Sequence, residues 1–324
     1  MKTLISIVGP TAIGKTALSI DLAKHFQTVI LSADSRQFYR EMNIGTAKVS
    51  AEEQAQVPHY FLDFLNPDES YNAGQFEREA EALLEQLFQQ HEVVILAGGS
   101  TLYLNTLWHG IDEMPDVPEE IRAQLNAEYQ EKGINRLAVE LAQVDPDSVF
   151  KDRIDTCNPA RVIRALEIYR ATGIPISQFK KKTPKQTSYQ HLKIALTTER
   201  TVLYERIDKR VLQMLEMGLV EEVKDLLAKG YTRDLPPMNA IGYKEVIAYL
   251  NGERETTTYK IMDYALMQSK IQQHSRNYAK RQLTWFRREK DLIWLDSLAE
   301  KENLCEKVVS LYEDFIEKSN KICT

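Results

Sequence analysis

An α/β fold with a mainly parallel, helix-covered sheet, a helical insertion and C-terminal helices is predicted by three features of the 324-residue chain. Short apolar runs alternate with helical patterns through the first third. One of these runs leads directly into a glycine-rich turn that opens a helix. Past Pro115 the pattern becomes polar and helical, and an apolar run returns only at His191-Leu192-Lys193-Ile194-Ala195-Leu196. Short apolar strands separated by helices favour a parallel sheet covered on both faces.

Leu4-Ile5-Ser6-Ile7-Val8 is the first strand and feeds a helix over 15–25. Thr28-Val29-Ile30-Leu31-Ser32 is the second. Residues 74–90 carry helical periodicity through Phe76, Ala80, Leu83, Leu84 and Leu87. Val93-Val94-Ile95-Leu96-Ala97 is the third strand and ends at Gly98-Gly99. Helices are then expected over 118–131, 134–142 and 159–171, punctuated by Pro146, Pro159, Gly173 and Pro175. The stretch 112–188 therefore reads as a helical insertion domain that divides the α/β core into 1–111 and 189–324. After the returning strand come helices near 200–216, 219–229, 242–250 and 255–289, and Leu292-Ile293-Trp294-Leu295 supplies one more strand.

With 43% hydrophobic and 27% charged residues the composition is that of an ordinary soluble protein. Cys157, Cys305 and Cys323 lie far apart and offer neither a disulfide framework nor zinc-ligand spacing. No signal-peptide pattern or membrane-length apolar run is present, so a cytoplasmic protein with no membrane partner is expected. A formal net charge of −6 speaks weakly against a nucleic-acid partner. The distribution is uneven, however. Between Lys270 and Lys290 seven basic residues face one acid, Glu289, and Lys180-Lys181-Lys182 with Lys185 forms a second basic cluster.

Chemistry concentrates where strands end, the usual ligand crevice of such sheets. Gly9-Pro10-Thr11-Ala12-Ile13-Gly14-Lys15-Thr16 follows the first strand and reads as a phosphate-binding loop. Gly9 and Gly14 permit a tight turn whose N–H groups point at phosphate oxygens. Lys15 reaches the same oxygens, and the Thr16 hydroxyl suits Mg²⁺. Asp34 follows the second strand, where it is suited to abstract a proton or to hold Mg²⁺ through water; a turn aspartate explains it equally well. Gln37 is suited to a base edge. Lys48, in Gly45-Thr46-Ala47-Lys48, belongs either to the site or to a surface loop.

Gly98-Gly99-Ser100-Thr101-Leu102-Tyr103 repeats the strand-into-glycine pattern, with hydroxyls that bind phosphate or cap a helix. Arg206 and Arg210 share one helical face and suit a diphosphate, although solvated arginines have the same spacing. Residues 272–288 interleave basic and aromatic side chains, as a nucleic-acid-facing helix does. There Tyr278, Trp285 and Phe286 fit a core-facing role just as well.

In combination these motifs closely resemble the tRNA dimethylallyltransferase family, in its bacterial type. The resemblance rests on the phosphate loop, Asp34-Ser35-Arg36-Gln37-Phe38-Tyr39, Asn43-Ile44-Gly45-Thr46-Ala47-Lys48 and Gly98-Gly99-Ser100. It continues through Arg161-Val162-Ile163-Arg164-Ala165-Leu166-Glu167, Arg206-Ile207-Asp208-Lys209-Arg210 and Tyr278-Ala279-Lys280-Arg281-Gln282-Leu283-Thr284-Trp285-Phe286.

The resemblance implies a P-loop kinase-like core with the insertion gripping the anticodon arm of tRNA. It implies transfer of a dimethylallyl group from dimethylallyl diphosphate to N6 of adenosine 37, in tRNAs reading codons that begin with U. Mg²⁺ is the implied cofactor, and no obligate protein partner is implied, so a monomer is expected. Asp34 then matches the general base, with Thr11 near the reacting centre and Arg210 on the diphosphate. Gly9 to Thr16 and Ser100 also match the donor site, with Thr16 as the metal contact. Asp34, Ser35, Gln37, Gly98, Gly99 and Ser100 match the acceptor side, while Arg164, Lys280, Arg281 and Gln282 match positions facing RNA.

Two positions depart from the family pattern. Many members read Gly-Gly-Thr-Gly where this chain has Gly98-Gly99-Ser100-Thr101, which keeps a hydroxyl but adds bulk at Thr101. Val49 stands where proline is usual. A small-molecule P-loop kinase shares the loop and Mg²⁺, and an adenylate isopentenyltransferase shares the donor. The latter would leave the insertion and the basic helix unexplained.

Overall fold

The computed structural model describes every residue except 113, 152–153, 180–184, 257–258, 300–302 and 323–324. The Lys180–Lys182 cluster and Cys323 lie outside the described residues. Two compact units emerge: one from Met1–Trp108 with Gln186–Thr324, the other His109–Lys185.

The first unit begins with strand β1 (Thr3–Val8), helix α1 (Lys15–His25), β2 (Ile30–Ala33), the short α2 (Ala51–Gln54) and β3 (His59–Tyr60). Next come α3 (Ala73–Leu87), β4 (Val93–Gly98) and α4 (Thr101–His109). The second unit holds α5 (Glu119–Val144), α6 (Pro146–Phe150), α7 (Pro159–Thr172) and α8 (Ile176–Phe179). The chain returns through β5 (Gln190–Thr197), α9 (Arg200–Glu216), α10 (Leu219–Ala228), a 3-10 turn at Pro236–Asn239 and α11 (Tyr243–Leu250). It ends with α12 (Tyr264–Phe286), β6 (Leu292–Asp296) and α13 (Leu304–Ile322).

The strands form one parallel sheet in the order β3-β2-β4-β1-β5-β6. Every residue of β1 is buried, because both faces are covered. Leu4 and Val8 join one core with Phe76, Leu84, Leu104, Val223 and Met267, drawn from α3, α4, α10 and α12. Ile5 and Ile7 point the other way and pack with Leu18 and Leu22 of α1, Ile207 of α9 and Val308 of α13. The alternation of strand side chains between faces makes both layers from one apolar run. β1, β4 and β2 lie side by side, so the turns that follow them open onto the same end of the sheet.

The second unit is built on α5 and α7, with Leu125, Leu137, Leu141, Val162 and Leu166 buried between them. Asn158 caps α7 through the Arg161 N–H, and Gly173 ends it at φ 72°. Buried Glu167 is held by Arg122 and Arg164.

Several elements differ from the sequence expectation. The helices expected at 118–131 and 134–142 are both present within α5, separated where Gly133 leaves the helical region at φ 72° and ψ 172°. The helix expected from 255 starts at Tyr264, because Asp263 caps it through the Leu266 N–H and a bridge pairs Arg254 with Ile261 upstream. The edge strand β3 and the helix α13 were not expected. The former is only two residues long, too short for any periodicity, and the latter lies beyond the last recognisable motif.

Candidate active site

The phosphate loop folds as its glycines require. Gly9 sits at φ 146°, and a Cβ there would lie 2.8 Å from the Leu196 carbonyl on β5. Gly14 takes φ 107°, and Ala12 holds a left-handed φ of 63° despite its methyl. Such backbone is strained and persists only where its surroundings dictate it. Lys15 opens α1, and its Nζ donates to the carbonyls of Gly9 at 3.0 Å and Pro10 at 2.8 Å. Thr16, the next residue, stands part-buried in the first turn of the same helix. Pro10 and Ile13 complete the loop, Ile13 as a core side chain.

The turns after β2 and β4 meet. Ser100 donates its N–H to the Ala33 carbonyl at 3.2 Å. The Ser35 N–H donates to Ser100 Oγ at 2.9 Å, and Ser100 Oγ donates to Ser35 Oγ at 3.2 Å. Gly98 is obligatory in this crossing, since a Cβ there would sit 2.3 Å from the Ala33 carbonyl oxygen. Asp34 immediately precedes Ser35 in the turn after β2. Its Oδ1 accepts from the Arg36 N–H at 3.0 Å and it feels the charge of Lys15.

Electrostatics link these groups. Burial pushes the Asp34 carboxyl above the usual aspartate value, opposed by the Arg36 N–H and by the charges of Lys15 and Arg36. Burial draws Lys15 down to about 8; the field of Asp34 opposes the fall and Arg210 adds to it. Arg210, carried by α9, donates from Nη1 to Thr11 Oγ1 at 3.4 Å, and burial lowers its pKa while Asp34 and Glu53 raise it. The Asp34 carboxylate thus stands among Lys15, Arg36 and Arg210, with Glu53 acting on Arg210 as well, so three cations face two carboxylates. That excess of positive charge suits a multiply charged anion. Arg206, one turn earlier, reaches Ser297 instead.

α12 supplies two side chains that sequence reasoning did not place here. Tyr278 lies beside Ser100 and feels Asp34, and burial holds its hydroxyl up at about 12. Gln282 is buried; its amide accepts from the Thr11 N–H and donates to the Gly99 carbonyl. The expected RNA contact through Gln282 is therefore replaced by contacts within the protein. The signal was the spacing of Tyr278 and Gln282, four apart on one helical face. Lys280 and Arg281 of the same helix are exposed, whereas Phe286 is buried and Trp285 packs against it and Trp108. The basic residues face outward and those two aromatics inward.

Two further expected residues are engaged elsewhere. Gln37 Nε2 donates to the carbonyls of Thr46 at 3.3 Å and Ala47 at 3.0 Å, bracing the 43–48 loop. Lys48 braces the same loop through the Tyr39 carbonyl, Asn43 and Asp63, so it is structural. Glu222 caps that loop by accepting from the N–H groups of Asn43, Ile44 and Gly45. Arg164, in the second unit, is half-exposed and paired with Glu167.

No three His, Cys, Asp or Glu side chains gather as a metal cluster among the described residues. At the loop the donors are oxygen alone, the Thr16 hydroxyl and the Asp34 carboxylate. Sparse hard donors fit Mg²⁺, which keeps several waters and takes other ligands from phosphate oxygens. No helix among the described residues is long and apolar enough to cross a membrane.

The family model described as IPP transferase matches residues 37–289. The chain is 43% identical over 303 residues to tRNA dimethylallyltransferase 1 of Bacteroides fragilis, covering 94% of this chain and 96% of that one. It is 40% identical to the tRNA dimethylallyltransferase of Natranaerobius thermophilus, covering 96% and 91%. Among solved structures it resembles the tRNA isopentenylpyrophosphate transferase of Bacillus halodurans, with TM-score 0.72, 36% identity and full coverage of both chains. A eukaryotic dimethylallyltransferase acting on tRNA superposes with TM-score 0.79 at 26% identity, over 98% of this chain and 80% of that one. Matched along nearly its whole length, the chain belongs to the tRNA dimethylallyltransferase family, in its bacterial form.

Proposed function

We propose that this chain is a cytoplasmic enzyme that transfers a dimethylallyl group from dimethylallyl diphosphate to N6 of adenosine 37 in tRNAs reading codons that begin with U. The observation that carries this reading is the placement of Asp34 in the field of Lys15, with Arg210 on Thr11 of the same loop. A base for the acceptor and cations for the leaving group then share one crevice.

In the reaction the N6–C1 bond forms as the C1–O bond to diphosphate breaks. Asp34 accepts the N6 proton, which offsets the poor nucleophilicity of an amine delocalised into the adenine ring. Its raised pKa makes it a better base than an exposed aspartate. Lys15, Arg210 and the N–H groups of the loop hold the departing diphosphate. Thr16 would hold Mg²⁺, which when bound neutralises part of the diphosphate charge. The Ser35–Ser100 hydrogen bonds, with Tyr278 beside them, brace the turns next to Asp34. Lys280 and Arg281, exposed on α12, serve RNA phosphates, and the helical unit with Arg164 serves the anticodon arm. The adenine leaves its stack to reach Asp34, as bases modified at ring substituents do.

The test is incubation with labelled dimethylallyl diphosphate, Mg²⁺ and unmodified tRNA, followed by nucleoside mass analysis. Label on the adenosine beside the anticodon is expected. Label on free adenylate alone, or consumption of ATP with no transfer, would assign the chain to a different reaction.

A further inference from the structure

Gln282 is 3% exposed, and its amide is committed at both ends. Oε1 accepts from the Thr11 N–H at 3.0 Å, and Nε2 donates to the Gly99 carbonyl at 2.8 Å. The two partners set the amide's orientation, because an N–H must meet oxygen and a carbonyl must meet NH₂. One side chain therefore spans the turn after β1 and the turn after β4. These are the loops that carry the donor and acceptor ends of the site.

Packing agrees with this reading. A Cβ on Gly99 would lie 2.5 Å from Gln282 Nε2, so the glycine leaves room for the amide. The Thr11 N–H is taken up by Gln282 and so lies outside the anion cradle. What the contact does is hold the Thr11 backbone, and with it the hydroxyl that meets Arg210. Tyr278, one turn earlier on α12, lies beside the neighbouring Ser100. α12 thus grips both turns from one face.

We propose that Gln282 is a positioning residue for transfer: its amide sets the gap between the diphosphate loop and the Gly98–Ser100 turn, and hence the approach of the allylic carbon to the adenine. What is positioned rests on the transfer reaction proposed above; the clamp itself does not. Misplacement of reacting groups by about 1 Å costs on the order of 10²-fold in rate.

Gln282→Met and Gln282→Glu test it, with folding checked by circular dichroism and thermal melting. For Gln282→Met, kcat should fall about 10–100-fold while the KM for tRNA stays within about threefold. Inorganic diphosphate binding, read by calorimetry, should weaken by about threefold or more. Gln282→Glu keeps the acceptor for Thr11 but donates to Gly99 only when protonated. Its activity relative to the unsubstituted protein should therefore rise by about threefold or more from pH 8 to pH 6, as a buried carboxyl gains its proton. That pH signature is absent from a merely structural role, and it serves even where the methionine variant fails to fold. Activity and diphosphate affinity within twofold of normal in both variants would overturn the proposal. So would a rise in tRNA KM alone, or a loss in Gln282→Glu that is flat with pH. If the unsubstituted protein modifies no tRNA, the transfer reading fails, and the diphosphate titration still judges the clamp.

Discussion

Arg210 Nη1 lies 3.4 Å from Thr11 Oγ1, although 199 positions separate them in the chain. Helix α9 thereby delivers a cation to a loop that already carries Lys15. Arg210→Ala should impair use of the diphosphate donor by about 10²-fold in kcat/KM, the scale of losing one charged transition-state contact. The KM for tRNA should change far less. Steady-state kinetics with each substrate varied in turn checks this, and unchanged donor kinetics would remove Arg210 from the donor site.

Asp34→Asn keeps the shape of the side chain and removes the base. Transfer should fall by roughly 10²–10⁴-fold. Binding of an anticodon stem-loop RNA, measured by filter retention, should persist. Near-normal turnover by a correctly folded variant would assign the proton elsewhere.

The charge pair predicts a pH profile. Lys15 is cationic below about 8, so donor kcat/KM should decline as pH rises through that value. Asp34 is a base only when ionised, and its raised pKa sets an acid limb above the ordinary aspartate range. A bell is expected. Since the Arg210 charge lowers Lys15, Arg210→Ala should move the alkaline limb upward. An alkaline limb absent through about pH 9.5 would contradict the Lys15 assignment.

Lys280→Ala with Arg281→Ala removes two exposed charges from α12. RNA affinity should fall about tenfold, and the slope of log affinity on log salt should lessen by about 1–2. Transfer at saturating tRNA should hardly change. A salt slope identical to the parent would place both residues off the RNA.

Gly45→Ala tests the bracing of the 43–48 loop. A Cβ there would lie 2.4 Å from the Tyr243 ring, which is fully buried and donates to Glu222 at 2.6 Å. The ring cannot yield, so overpacking should cost about 1–3 kcal/mol in urea unfolding. A variant as stable as the parent would show that the loop adjusts freely.

Much of the site is legible in the sequence. The phosphate loop declares itself because Gly9, Gly14, Lys15 and Thr16 sit between an apolar strand and a helix, a local arrangement that needs no distant partner. Asp34 and Ser100 were legible as residues at strand ends, and parallel topology brings such ends together. Gln37, Lys48 and Gln282 were not legible in their structural partners. Each is a long polar side chain whose partners lie on loops that sequence does not place.

By itself, the sequence determined five of the six strands and most of the longer helices of the core in their order, the phosphate loop and the family to which the chain belongs. Those properties reside in local periodicity, in backbone freedom at a few glycines and in motifs read in order. Only the tertiary structure decided that Arg206 reaches Ser297, that Phe286 faces the core, and that Gln282 bridges Thr11 and Gly99. The physical reason is common to all three. A helix fixes which residues share a face, but packing alone decides what that face meets.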